Sequence, residues 1–304
     1  MNAVAQATGV FTDLALLTQL RSPVAALARK PNQRSTGILP GETSSRQRGA
    51  GKTFEEIRPY LPGDDIRLID WRVTARSGKT QLRVFAADRE KPVHIITDQR
   101  SGMFFGAQGS FKSVTAAQCA AITAWQHVEM GEPIGGHVVT NSQVLHQSAR
   151  RSSAGALRYL RLLNDANHRC NDDGPAMSWA QALAKASPNV RSGAHLIIIS
   201  DWRGFNDQCA ATIRRLAQRQ PTTLVQVIEP LEQAMTVTGA LGISNGIDRL
   251  RLVASRAFRQ HYLRQTDQKQ RDLEAAAAAC HVDLVNIKTT DNIERMISQM
   301  MNHG

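Results

Sequence analysis

Nineteen consecutive residues, Arg58 to Arg76 (RPYLPGDDIRLIDWRVTAR), hold four arginines and three aspartates around a Pro-Gly turn and a tryptophan. Arg58, Arg67, Arg72 and Arg76 alternate with Asp64, Asp65 and Asp70, close enough in sequence to pair with one another. Guanidinium groups this near hold carboxylates ionised, which suits bracing better than acid–base catalysis. Two uses of the block follow. As a brace, it docks the N-terminal region on the rest of the chain through bidentate Arg–carboxylate pairs, with Trp71 as an apolar anchor. As a surface, it is presented to a partner protein. The self-complementary pairs favour the brace.

A second pair of acids stands further on. Asp98 ends the run VHIIT and Asp201 ends the run HLIIIS. Both runs have the β-branched composition of strands buried on two faces. Ligands of parallel sheets sit outside the carboxyl ends of the strands, so two such carboxylates on neighbouring strands would converge on one crevice.

Other candidate chemistry is weaker. Gly51-Lys52-Thr53 resembles the end of a phosphate-binding loop, but the first glycine of that motif falls on Arg46 and the upstream residues are polar. The nine histidines show no metal-binding spacing. His94 and His195 flank the two buried runs and read as core or strand-end histidines. His168 and Cys170 stand alone in a polar segment. No Gly-x-Ser-x-Gly nucleophile elbow is present.

Periodicity supplies the elements that must position these groups. Residues 11–28 have helical spacing interrupted by Pro23, and residues 31–53 read as an exposed loop. Residues 80–86 form a short strand. After Pro92, strands at 93–97, 137–140, 143–146, 195–200, 222–230 and 282–288 alternate with helices at 112–130, 156–163, 178–186, 207–219, 255–279 and the C-terminal DNIERMISQMM. This predicts an α/β domain with a mainly parallel sheet flanked by helices. The expected organisation is a helical leader (1–36), a loop and charged block (37–91) with irregular and β structure, and the α/β domain (92–304).

Composition sets outer limits. The chain has 304 residues, 42% hydrophobic but only 5% aromatic, so an aliphatic core is expected. No run approaches the ~18 apolar residues of a membrane span, and no signal peptide is evident, which gives a cytoplasmic expectation. The four cysteines (Cys119, Cys170, Cys209, Cys280) lack C-x-x-C spacing and read as free thiols. The net charge of +11 invites nucleic-acid binding, but the basic residues are scattered and often sit near acids, which disfavours specific recognition.

The block, with Arg58, Tyr60, Pro62, Gly63, Asp64, Asp65, Arg67, Ile69, Asp70, Trp71, Ala75 and Arg76 in register, resembles the bacterial family called domain of unknown function 58. Gly49, Gly51, Phe54, the DQRSGMFFG segment and Glu229-Pro230 fit the same pattern. The resemblance implies a von Willebrand factor A-like (Rossmann-like) domain. It also implies a MoxR-type AAA ATPase partner and an accessory role in assembling or maturing a client complex.

Such domains often hold Mg²⁺ in a metal-ion-dependent adhesion site built on Asp-x-Ser-x-Ser, a later Thr and a last Asp. Here the first loop is Asp98-Gln99-Arg100-Ser101-Gly102, Met177 falls at the Thr position with Ser178 beside it, and Asp201 is the last acid. Arg100 and Gly102 replace the two serines. The site residues are therefore Asp98, Ser101 and Asp201, in a degenerate metal site whose cation Arg100 replaces. Asp98, Arg100, Ser101 and Asp201 line the expected partner-binding edge. The expectation is a non-enzymatic interaction protein without a cofactor. An Mg²⁺-dependent binding module or hydrolase using Asp98 and Asp201, and a basic nucleic-acid-binding protein, are the alternatives.

Overall fold

The chain opens with two short helices. Asp13 caps α1 (Leu14–Gln19) by accepting from the Ala15 amide. α2 (Arg21–Ala28) follows directly, with Pro23 in its first turn, where a missing N–H costs no helical hydrogen bond. The computed structural model describes residues 9–28, 53–86, 91–107, 109–169, 175–234, 240–244, 249–253 and 256–302. Gly49, Gly51, Lys52 and Cys170, singled out from the sequence, lie outside them. Residues 1–31 with 91–304 form one unit and residues 32–90 another.

In the smaller unit, β1 (Thr53–Pro59), α3 (Trp71–Ser77) and β2 (Gln81–Ala86) form an antiparallel ribbon with a helix. The ribbon has a register shift between Phe54 and Glu56. Gly63 takes φ of +106° in the Pro-Gly turn, a conformation that glycine adopts without strain. Gly78 ends α3 in the left-handed region.

The larger unit continues with β3 (Val93–Asp98), α4 (Lys112–Glu129), β4 (Ile134–Val139), β5 (Val144–Arg150), α5 (Ser153–His168) and α6 (Trp179–Ala186). Then come β6 (His195–Ser200), α7 (Asp207–Ala217), β7 (Thr222–Ile228) and α8 (Pro230–Ala234). β8 (Ala240–Ser244), β9 (Arg249–Val253), α9 (Arg256–Ala279), β10 (Asp283–Lys288) and α10 (Ile293–Asn302) complete it. The sheet order is β10-β7-β6-β3-β4-β5, parallel except for β5 at the edge. This is the expected α/β architecture. The β8–β9 hairpin was not expected, although Asn245-Gly246 between alternating apolar residues is a hairpin signal.

Two apolar cores cover the two faces of the sheet. One joins Val93, Ile95, Ile197, Val225 and Ile287 to α1, α2, α4, α5 and α10; the other joins Ile96, Leu196, Ile198 and Leu224 to α6, α7 and α9. α4 is buried around nearly its whole circumference, and its alanines let neighbours approach closely. The N-terminal segment is tied in by the Trp125 indole donating to the Leu17 carbonyl (2.9 Å) and the Thr12 amide to Asn167 (2.8 Å). Asn167 in turn donates to Gln99, which donates to the Ser113 carbonyl, so this buried chain of bonds reaches the loop after β3.

Candidate functional site at the sheet switch point

β3 runs to β4 and β5 on one side of the sheet, and the chain then returns to lay β6 on the other side of β3. The carboxyl ends of β3 and β6 therefore flank the topological switch point, where open α/β sheets form their crevice. Asp98 ends β3 and Asp201 follows β6, so the two carboxylates share that crevice. They line a cavity of about 350 Å³ together with Arg100, Met177, Trp179 and Arg203.

Each aspartate is neutralised by its own cation. Asp98 Oδ1 accepts from the Arg100 amide and Nε (both 3.0 Å). Its Oδ2 accepts from Arg100 Nη2 (2.9 Å) and Ser200 Oγ (2.7 Å). A carboxylate offers about four acceptor sites, and all four are used. Arg100 Nη1 donates to the Met177 carbonyl (2.7 Å), and the guanidinium lies 4.7 Å from the centre of the Trp179 ring. Burial alone would lower the Arg100 pKa, but the Asp98 charge and hydrogen bonds outweigh it and raise it.

Asp201 takes a different cation, Lys112, the first residue of α4. Lys112 Nζ donates to Asp201 Oδ2 (2.7 Å) and to Glu232 Oε1 and Oε2 (2.9 and 3.1 Å). Lys112 is fully buried. Desolvation pulls its pKa down, and the charges of Asp201 and Glu232 push it further up, so it stays charged. Sequence reasoning missed both Lys112 and Glu232. One signal was available: a lysine in the first turn of a helix opposes the macrodipole and calls for an acid from elsewhere.

The other predicted residues take more structural roles. The Ser101 amide donates to Asn141 Oδ1 (2.9 Å). Ser178 and Gln181 form the capping box of α6. Met177 joins the core beneath α6. A Cβ at Gly102 would meet only Arg203 Cδ at 3.7 Å, so space for a serine exists there. Trp202, at φ of +57°, is a bulky residue in a region that rarely holds one. Its amide donates to Ser200 Oγ (2.9 Å) and its ring stacks on Trp179.

These contacts do not fit a hard divalent cation. Asp98 has no acceptor site left while Arg100 stays in place, and Ser200, Ser178 and the Met177 carbonyl are engaged elsewhere. The expected partner-binding edge changes as well. Asp98 and Arg100 are buried, so their role is to position the loop; Ser101 and Arg203 are exposed, as are Ala176, Ser178 and Gly204.

The charged block pairs only in part as expected. Arg58 and Asp64 form the bidentate pair (2.8 and 2.7 Å), and Asp64 also accepts from the Leu61 amide. The Arg58 hydrogen bond lowers the Asp64 pKa. Asp65 accepts from the Arg67 amide, and Asp70 caps α3 through the Arg72 and Val73 amides. Asp70 pairs with Arg83 (2.7 Å), outside the block, and this bond lowers its pKa. Tyr60 contributes its amide to the Thr80 carbonyl. Arg67, Arg72 and Arg76 reach no carboxylate among the described residues. Trp71 is 70% exposed and is not a buried anchor: α3 and a two-stranded ribbon cannot enclose an indole.

The histidines singled out from the sequence are partnered inside the protein. His94 Nε2 lies 2.7 Å from His137 Nδ1, His195 Nε2 lies 3.0 Å from Thr223 Oγ1, and His168, the last residue of α5, bonds the Thr12 carbonyl. Cys119 and Cys209 are buried free thiols, and Cys280 is a half-buried one. Among the described residues, no helix is long and apolar enough to cross a membrane.

Residues 56–272 match the family described as "Protein of unknown function DUF58". The chain belongs to the DUF58 family. Uncharacterized proteins of Mycobacterium tuberculosis and Mycobacterium bovis are each 25% identical to this DUF58 protein over 275 residues, covering 89% of it and 85% of the relative. Solved structures similar to it include the conserved hypothetical protein BatB from Bacteroides thetaiotaomicron, at 11% identity and TM-score 0.43, covering 69% of this chain and 97% of that one. The SpRpn10 VWA domain is 12% identical with TM-score 0.36, covering 70% and 95%. Likenesses at this level carry no functional information.

Proposed function

We propose that this DUF58 protein is a non-enzymatic interaction factor of the cytoplasm, working with a MoxR-type AAA ATPase on a client complex. The observation behind the reading is the double neutralisation of the switch-point crevice. Arg100 holds Asp98 and Lys112 holds Asp201, so the charge of each acid is already balanced within the protein. Exposed in the crevice is Arg203, whose Nη2 bonds Glu232 (3.2 Å) while the side chain stays 57% exposed, with Ser101 on the same lining. An exposed guanidinium beside acids that are already paired suits a carboxylate brought by a partner. Family membership supports the choice of ATPase.

Two measurements test this. Calorimetric titration of the chain with the MoxR-type ATPase is expected to give saturable binding that weakens about tenfold in Arg203→Glu, a loss typical of a central charged contact. Titration with MgCl₂ is expected to give no micromolar binding. Micromolar Mg²⁺ affinity that vanishes in Asp98→Ala would replace this reading with the metal-dependent one.

A further inference from the structure

The smaller unit carries a surface that its own contacts do not use. Leu61, Ile66 and Trp71 fall within eleven residues and are 60%, 65% and 70% exposed. Trp71 opens α3 and Ala75 follows it one turn later; Arg72 and Arg76 form the adjoining row. All four are exposed.

The charges of this segment divide into two sets. Asp64 and Asp70 are engaged by Arg58, Arg83 and backbone amides, while Asp65 accepts from the Arg67 amide and stays exposed. Arg67, Arg72, Arg76 and Lys79 have no carboxylate partner among the described residues. Asp64 and Asp70 are thus spent on holding the fold, and on α3 itself the unpaired charge is positive and stands beside an exposed indole. Tryptophan next to arginine is the composition of interface hot spots.

We propose that the outer face of α3 docks an acidic amphipathic segment of a partner protein, with Trp71 as the apolar anchor and Arg72 and Arg76 pairing with its carboxylates. Charge complementarity selects this occupant. A second copy would bring the same unpaired arginines to the contact, and like charges repel. Nucleic acid is disfavoured because residues 53–86 hold six basic groups against five acidic ones and expose aliphatic Leu61 and Ile66. This surface belongs to the smaller unit, and its test does not involve the ATPase.

Trp125, Trp179 and Trp202 are at most 3% exposed, so acrylamide quenching of the intact protein reads Trp71. The probe is a synthetic helical peptide with leucine at i, i+3, i+4 and i+7 and glutamate elsewhere. It is expected to shield Trp71 from quenching. The Arg72→Ala/Arg76→Ala variant should weaken binding about tenfold. By calorimetry, Trp71→Ala should weaken it at least as much. All of these positions are exposed, so the melting temperature is expected to hold and serves as the folding control. The matching lysine peptide and a single-stranded oligonucleotide are expected to give no shielding. Shielding by the lysine peptide, by the oligonucleotide, or by the glutamate peptide without dependence on Arg72 and Arg76 would overturn the proposal, as would no shielding at all.

Discussion

Arg100→Met is the sharpest perturbation available. Methionine keeps the apolar stem beside Trp179 but removes the guanidinium. Three side-chain hydrogen bonds disappear: two to Asp98 (3.0 and 2.9 Å) and one to the Met177 carbonyl (2.7 Å). Asp98, with a side chain 1% exposed, keeps only Ser200 Oγ and the backbone amide of residue 100. Bonds to charged groups contribute about 1.5–3 kcal/mol each, but these three share one acid and do not add. Stranding one member of a buried pair costs about 3–5 kcal/mol, which sets the expected loss near 4 kcal/mol. Asp98→Asn in the same chain removes the stranded charge, so the double variant should recover about half of that loss or more. Urea unfolding followed by near-ultraviolet circular dichroism of the stacked Trp179 and Trp202 measures all four corners of the cycle. The reasoning fails if Arg100→Met unfolds within about 0.5 kcal/mol of the wild type, or if the double variant is no more stable than the worse single one.

Two further outcomes follow from the core. Burial, reinforced by His146, lowers the His94 pKa from 6.5 to about 4. Between those values only the unfolded chain takes up the proton, so stability falls as pH falls, by about 2.5 kcal/mol at about pH 4.5. His94→Gln should shrink the difference between urea midpoints at about pH 7 and pH 4.5, and an undiminished difference would place the acid sensitivity elsewhere. In Gly136→Ala the new Cβ would lie well inside contact distance of the Ile95 carbonyl oxygen, where β4 meets β3. Backbone cannot yield that distance, so a loss above about 3 kcal/mol or insoluble protein is expected; a near-normal melting temperature would contradict the register.

Much of the crevice was legible because its causes are local. The strand runs ending in Asp98 and Asp201 followed from composition. Arg100 is two residues from Asp98, so their pairing was within reach of the sequence. The smaller unit was less legible. Asp70 was expected to pair inside the block, yet a ribbon register brings Arg83 to it from β2. Trp71 was expected to be buried, but burial depends on how much structure surrounds a residue, and neither type nor spacing reports that.

The sequence by itself determined the α/β class, the family and the two strand ends, since periodicity and side-chain type act over a few residues. Only the tertiary structure decided which charges meet. Lys112 and Asp201 stand 89 positions apart, and Lys112 and Glu232 stand 120 apart. Their bonds exist because the switch in strand order sets the start of α4 beside the ends of β6 and β7. In that water-poor place an unpaired charge would cost several kcal/mol, so the partners had to be supplied together.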